Sequence, residues 1–110
     1  MSFKNLDFEC AKEAQNIVAK LEQDKIRTIL SILEAQGLCA MFVYIEKKMK
    51  DDVIRKHLTE FLKNIIKTEL GDIYCNLDKL LLANNLIRRL LDYALLYSEK
   101  KKEDKNVDLL

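Results

Sequence analysis

The chain has 110 residues, 49% of them apolar and 34% charged, and its 19 lysines and arginines against 18 acids leave a net charge of +1. A chain of this size supports one hydrophobic core and leaves no room for a second domain, its composition is that of a folded globular protein rather than a disordered one, and its near-neutral total excludes a strongly basic, stand-alone nucleic-acid binder. No run of about 18 uninterrupted apolar residues marks a membrane span, and the opening "MSFKNLDFEC" lacks the basic-then-apolar order of a signal peptide, so no membrane contact and a cytoplasmic location are expected.

With no proline and two glycines, little interrupts helix, and apolar residues recur at helical spacing almost throughout. The pattern predicts an all-α, single-domain bundle of five to six helices over residues 1–99, followed by a charged, solvated tail over residues 100–110. The first helix carries a stripe of Phe8, Ala11, Ala14, Val18 and Leu21, with Asn5 or Asp7 as its cap. The second is marked by Ile26, Ile29, Leu30 and Leu33 and ends near Gly37. The third, from Leu38 through Met41, Phe42 and Ile45, runs into the charged stretch "EKKMKDD". Asp51 and Asp52 then complement the start of a fourth helix, whose stripe is Val53, Ile54, Leu58, Phe61, Leu62, Ile65 and Ile66, and Gly71 reads as its stop signal. From Ile73 through Leu77, Leu80 and Leu81, and again from Leu86 through Leu90, Leu91, Ala94 and Leu95, the sequence fits one long helix or two, divided or not at Asn84 and Asn85. Asparagine disfavours a helix interior by only a few tenths of a kcal/mol relative to most residues, so propensity leaves both open.

Cys10, Cys39 and Cys75 lie within apolar helical stretches without CxxC spacing and are expected as three reduced, buried thiols. His57, the one histidine, sits beside the apolar stripe of the fourth helix and reads as a packed or edge residue rather than a base or ligand. Together with the three cysteines it offers no zinc-type grouping. Neither a GxxxxGK[ST] loop nor a GxGxxG turn is present, because Gly37 and Gly71 stand alone, and Asp51 with Asp52 reads as a helix cap rather than a magnesium site. No catalytic residue, cofactor, metal or small-molecule substrate is therefore expected. Phe8, Phe42 and Phe61 fall on core stripes, and Tyr44, Tyr74, Tyr93 and Tyr97 look scattered, without a base-stacking platform.

What remains is surface charge. Residues 1–24 sum to −2 and residues 25–50 to +3, and a partner reads local potential rather than the total. Lys47, Lys48 and Lys50 close the third helix, Arg55 and Lys56 lie one turn into the fourth, Arg88 and Arg89 form a pair on the last helix, and Lys25 with Arg27 a cluster on the second. Such groups can lie along a phosphate backbone; the plainer reading is that they keep the bundle in solution and form surface ion pairs.

Gly37 can take a left-handed conformation without penalty and so close the second helix and let the third set off in a new direction from Leu38. Around it a family resemblance emerges. A helix, then Gly-Leu, then an aliphatic and aromatic helix closing on lysine, "GLCAMFVYIEKK", resembles the small subunit of the Cmr-type, type III-B, CRISPR RNA-guided effector complex. The alanine-rich "CAKEAQNIVAKL", the Lys/Arg-bearing "KIRTILSILEAQ" and the final "LIRRLLDYALLYSEKK" are similar to that family in order and character. The resemblance implies a non-catalytic α-helical subunit in antiviral defence, present in several copies that stack on one another and on the backbone subunit as a minor filament beside guide RNA and target RNA, with cleavage belonging to the backbone subunit. Lys25, Arg27, Lys47, Lys48, Lys50, Arg88 and Arg89 are then the expected RNA contacts, taken by patch. The small subunit of the type III-A complex and a helical protein–protein adaptor without nucleic-acid contact are the alternatives.

Overall fold

The computed structural model describes the backbone of residues 4–108 and the side chains of residues 6–100. Six α-helices and one π-helical turn follow in order, with no strand among the described residues: α1 Lys4–Val18, α2 Gln23–Gln36, α3 Leu38–Tyr44, a π-turn Ile45–Met49, α4 Asp52–Ile66, α5 Leu70–Tyr74 and α6 Leu77–Asp108. The expected all-α bundle with one continuous core is what forms.

The apolar periodicity explains most of the packing. Ile26, Ile29, Leu30 and Leu33 of α2 and Leu38, Met41 and Phe42 of α3 are all buried, and Ile45 follows them in the π-turn. In α4 the buried set narrows to Ile54, Leu58, Phe61 and Leu62, with Val53 about half exposed. Asp51 caps α4 as expected, its Oδ1 accepting from the Ile54 amide at 3.0 Å. The stripe of α1 is rotated from the expected one. Cys10, Ala14, Ile17 and Leu21 are buried, whereas Phe8 is 64% exposed. Neither alternative for the cap at the start of α1 is outside the helix: Asn5 and Asp7 both lie within Lys4–Val18.

Asn84 and Asn85 do not divide the last helix. α6 runs unbroken for 32 residues because Ala83, Leu86, Ile87, Leu90, Leu91 and Ala94 make a continuous buried face, each large side chain contributing about 1.5–3 kcal/mol of burial against a few tenths for a mid-helix asparagine. Helix also continues through Asp108 where the sequence marks a charged tail; Leu109 and Leu110 lie outside the described residues. α2 runs antiparallel to α6, since Arg27 meets Glu99 and Glu34 meets Arg88.

The turns correct one reading. Gly71 is not the stop of α4 but an internal residue of α5. α4 is closed by Lys67, a non-glycine residue in the left-handed region (φ 62°, ψ 37°), whose amide donates to the Lys63 carbonyl at 2.9 Å. Lys50 (φ 53°, ψ 39°) does the same after the π-turn. Gly37 has φ 98° and ψ −178°, a region open essentially to glycine alone. Its amide closes α2 on the Leu33 carbonyl at 2.9 Å and its carbonyl opens α3 by accepting from the Met41 amide at 3.1 Å. The glycine is thus a two-sided joint.

A Cβ added to either glycine meets nothing within 4 Å, so backbone preference alone sets the outcome. Gly37→Ala is expected to destabilise by about 1–3 kcal/mol and Gly71→Ala to stabilise by about 0.5–1 kcal/mol, read as opposite shifts of the urea midpoint. The cysteines supply a second check. Only Cys10 is buried, while Cys39 and Cys75 are exposed, against the expectation of three buried thiols. Burial pushes the Cys10 thiol up to about 11, and its Sγ donates to the Leu86 carbonyl at 3.6 Å. Alkylation of the native protein near neutral pH should label two thiols quickly and the third only on unfolding. By linkage, the unfolded chain ionises this thiol near 9.0 and the folded chain only at about 11, so the stability tied to Cys10 is complete below pH 9 and is lost as pH rises through that window.

Candidate nucleic-acid interface

Among the seven basic residues expected at an interface, the structure separates lysines from arginines. All seven are exposed. Lys47 and Lys48 ride on the π-turn, which closes when the Lys50 amide donates to the Ile45 carbonyl five residues back. Ile45, fully buried, anchors that turn from inside, so the wider ring of backbone and the left-handed Lys50 occur on a stretch whose polar side faces water. Lys56 follows in the first half of α4. None of Lys25, Lys47, Lys48, Lys50 and Lys56 has a carboxylate of a described residue within 4.0 Å. The fifth cation of this end, Arg55, is turned onto Asp52 of its own helix at 3.7 Å.

The arginines expected at the interface are each engaged. Arg27 lies between Asp24 and Glu99, 3.9 Å from each. Arg88 and Arg89, adjacent in sequence, do not form a pair in space, because consecutive helical residues do not share a face. Arg88 reaches Glu34 of α2 at 3.4 Å, and Arg89 reaches Asp7 of α1 at 3.0 Å. These pairs are half exposed and worth about 0–1 kcal/mol apiece. They clamp helix to helix and lower the local positive potential that a phosphate chain would meet. The seven residues therefore form one bare lysine turn, one bare lysine on α2, and three arginines held by carboxylates on different flanks of the bundle.

Asp7 organises a further cluster. It accepts from Arg89 at 3.0 Å and from the Tyr93 hydroxyl at 2.6 Å, and that hydrogen bond, with a smaller part from desolvation, holds the Tyr93 hydroxyl above its ordinary range. Tyr93 and Tyr97 are not scattered but paired, their ring centroids 6.4 Å apart with planes at 24°; their i, i+4 spacing was the visible sign of it. His57 is the edge residue expected, its Nδ1 3.1 Å from Glu13 Oε1, tying α4 to α1. Lys63, Lys67 and Lys79 come together around one groove, a grouping the sequence hid because Lys79 belongs to a different helix. Among the described residues no three His, Cys, Asp or Glu side chains are grouped to hold a metal ion, and no helix is long and apolar enough to cross a membrane.

Compared with protein-family models, curated proteins and solved structures, the chain matches none of them.

The lysine turn yields a stability prediction. A non-glycine residue in the left-handed region is disfavoured by about 1–2 kcal/mol, so Lys50→Gly, which relieves that strain and removes one cation, should raise the urea midpoint. A midpoint that falls would show that the Lys50 side chain itself holds the turn together.

Proposed function

We propose that this chain is a non-catalytic helical subunit of a type III CRISPR RNA-guided effector, of the type III-B small-subunit kind, which stacks in several copies against itself and the backbone subunit and touches guide and target RNA through basic side chains. The observation that supports it best is the lysine turn. Lys47, Lys48 and Lys50, followed by Lys56, stand exposed within about ten residues of chain with no described carboxylate beside them. Lysine ammoniums of this kind act as point charges toward phosphate. With the whole molecule near neutrality, one such turn holds RNA weakly, and repeating it along a stack raises the effective concentration of cations on one strand. The arginines enter as exchangeable groups, since a half-exposed ion pair is weak enough for a phosphate to replace its carboxylate.

The rival reading, an adaptor for another protein, is favoured by one observation: Leu77, Leu81 and Leu82 at the start of α6 are 70%, 51% and 40% exposed, an apolar face of the kind that receives a partner.

The deciding measurement is binding of a single-stranded RNA oligomer by the full chain between about 50 and about 200 mM salt. Affinity should fall steeply with salt and be independent of sequence. The triple variant Lys47→Glu, Lys48→Glu, Lys50→Glu should lose about tenfold or more and flatten the salt slope by about 0.7 per lost phosphate contact, while Arg88→Ala and Arg89→Ala change it less. RNA binding unaltered by the triple reversal, or none at any salt, would overturn the electrostatic reading and leave the adaptor.

A further inference from the structure

Lys79 is the one lysine among the described side chains that is not exposed. It stands in the first turn of α6, and its Nζ donates to Thr68 Oγ1 at 3.1 Å. Thr68 in turn donates its hydroxyl hydrogen to the Ile66 carbonyl at 3.3 Å, which orients the oxygen as the acceptor Lys79 needs. No carboxylate of a described residue lies within 4.0 Å of this ammonium. Lys79 is partly buried, its Nζ is held by a neutral hydroxyl and no described carboxylate lies within reach, so an anion entering beside it would be its first counter-charge. Two of its three N–H donors are left for one.

The surroundings match that requirement. Lys79 and Thr68 line a groove of about 620 Å³ together with Lys63 and Lys67. Lys67 is exposed, has no described carboxylate partner, and is delivered there by its left-handed closure of α4. Lys63 is 3.0 Å from Glu69 in an exposed pair weak enough to open. α6 begins beside the groove, where the Asn76 Oδ1 accepts from the Lys79 amide at 3.1 Å, so the positive end of a 32-residue helix adds to the lysines. The two acids in the lining, Glu69 and Asp72, belong to the start of α5, where acids complement that helix's own end. Three lysines against two acids leave the groove cationic.

We infer that this groove is an oxyanion site that takes a phosphate group, with Lys79 and Lys67 as donors, Thr68 as the residue that positions Lys79, and Lys63 joining on release from Glu69. It is built from elements other than the lysine turn and does not depend on the RNA reading. The same chemistry fits a phosphate of a nucleic-acid strand or a free polyphosphate.

The experiment is an amide-resolved NMR titration of the full chain with inorganic pyrophosphate, and separately with a 5′-phosphorylated RNA oligomer and its unphosphorylated counterpart. Pyrophosphate should shift the amides of Lys67, Thr68 and Lys79 saturably. Lys79→Gln and Lys67→Gly should each weaken it about tenfold, and Lys100→Gln should leave it unchanged. Lys67→Gly also relieves the left-handed backbone, so its loss of binding cannot come from unfolding. Thr68→Ser should retain binding and Thr68→Val weaken it. Shifts at the same amides by phosphorylated RNA as well assign the anion to a nucleic acid, and shifts by pyrophosphate alone assign it to a free phosphate. Absence of saturation, shifts shared equally by Lys100 at the far end of α6, or variants that bind like the parent would overturn the site. Loss of RNA binding on reversal of Lys47, Lys48 and Lys50 would test the RNA reading without touching this one.

Discussion

Every other helix of the bundle meets α6, so the structure depends on that helix staying continuous across its two asparagines. The continuity is a matter of magnitudes. Ala83 on one side and Leu86, Ile87, Leu90 and Leu91 on the other present one face to α1 and α2, and a break at Asn84 would put those halves out of register. The asparagine pays for its place in a different way: Asn84 Oδ1 is buried with no hydrogen-bond partner among the described residues, beside the Gly37 joint. A satisfied backbone ladder and a full apolar face outweigh one orphaned side-chain acceptor.

The same competition decides where the chain turns. Gly37 takes a conformation that suits it, but both ends of α4 are turned by lysines in the left-handed region. Each is flanked by core anchors that fix the chain on either side: Ile45 and Ile54 around Lys50, and Leu62 and Ile73 around Lys67, all fully buried. Burial of two such side chains exceeds the roughly 1–2 kcal/mol of left-handed strain at the residue between them. Local preference for glycine is overridden by what lies inside, and the residue left at the turn is free to be a cation.

This is also why the sequence was legible in some places and not in others. The stripe of α2 was readable because it has one apolar face and a polar remainder, and α3, apolar or aromatic at every position, was readable from its start at Gly37 and the helical spacing of Leu38, Met41 and Phe42. In α1 both Phe8 with Ala11 and Cys10 with Ile17 satisfy helical spacing, and only the neighbouring helices decide that Cys10 and Ile17 go inside. Gly71 misled because a glycine after an apolar stripe is the usual stop, whereas Lys67 four residues earlier carries no such mark. The lysine turn was legible as a run of charge. The pairing of Arg88 with Glu34 and of Arg89 with Asp7 was not, because it joins residues more than fifty positions apart and depends on how α1 and α2 lie on α6. Lys79 was hidden for the same reason, its significance arising from Thr68 across a turn and a helix.

A division of labour among the cations follows. Arginine, planar and with five donors, suits pairing with a carboxylate, and here Arg27, Arg88 and Arg89 bridge α2 and α1 to α6 through exposed, exchangeable pairs. Lysine, a hydrated point charge, is left at both ends of α4, in the turn before it and the groove after it. α4 has 15 residues, about 22 Å at the helical rise, whereas charges at physiological ionic strength are screened within about 8 Å. The two lysine groups therefore do not sense one another through solvent. Each acts on whatever anion comes within its own reach, and the near-zero charge of the whole chain is compatible with two separate places where a phosphate would meet a positive surface.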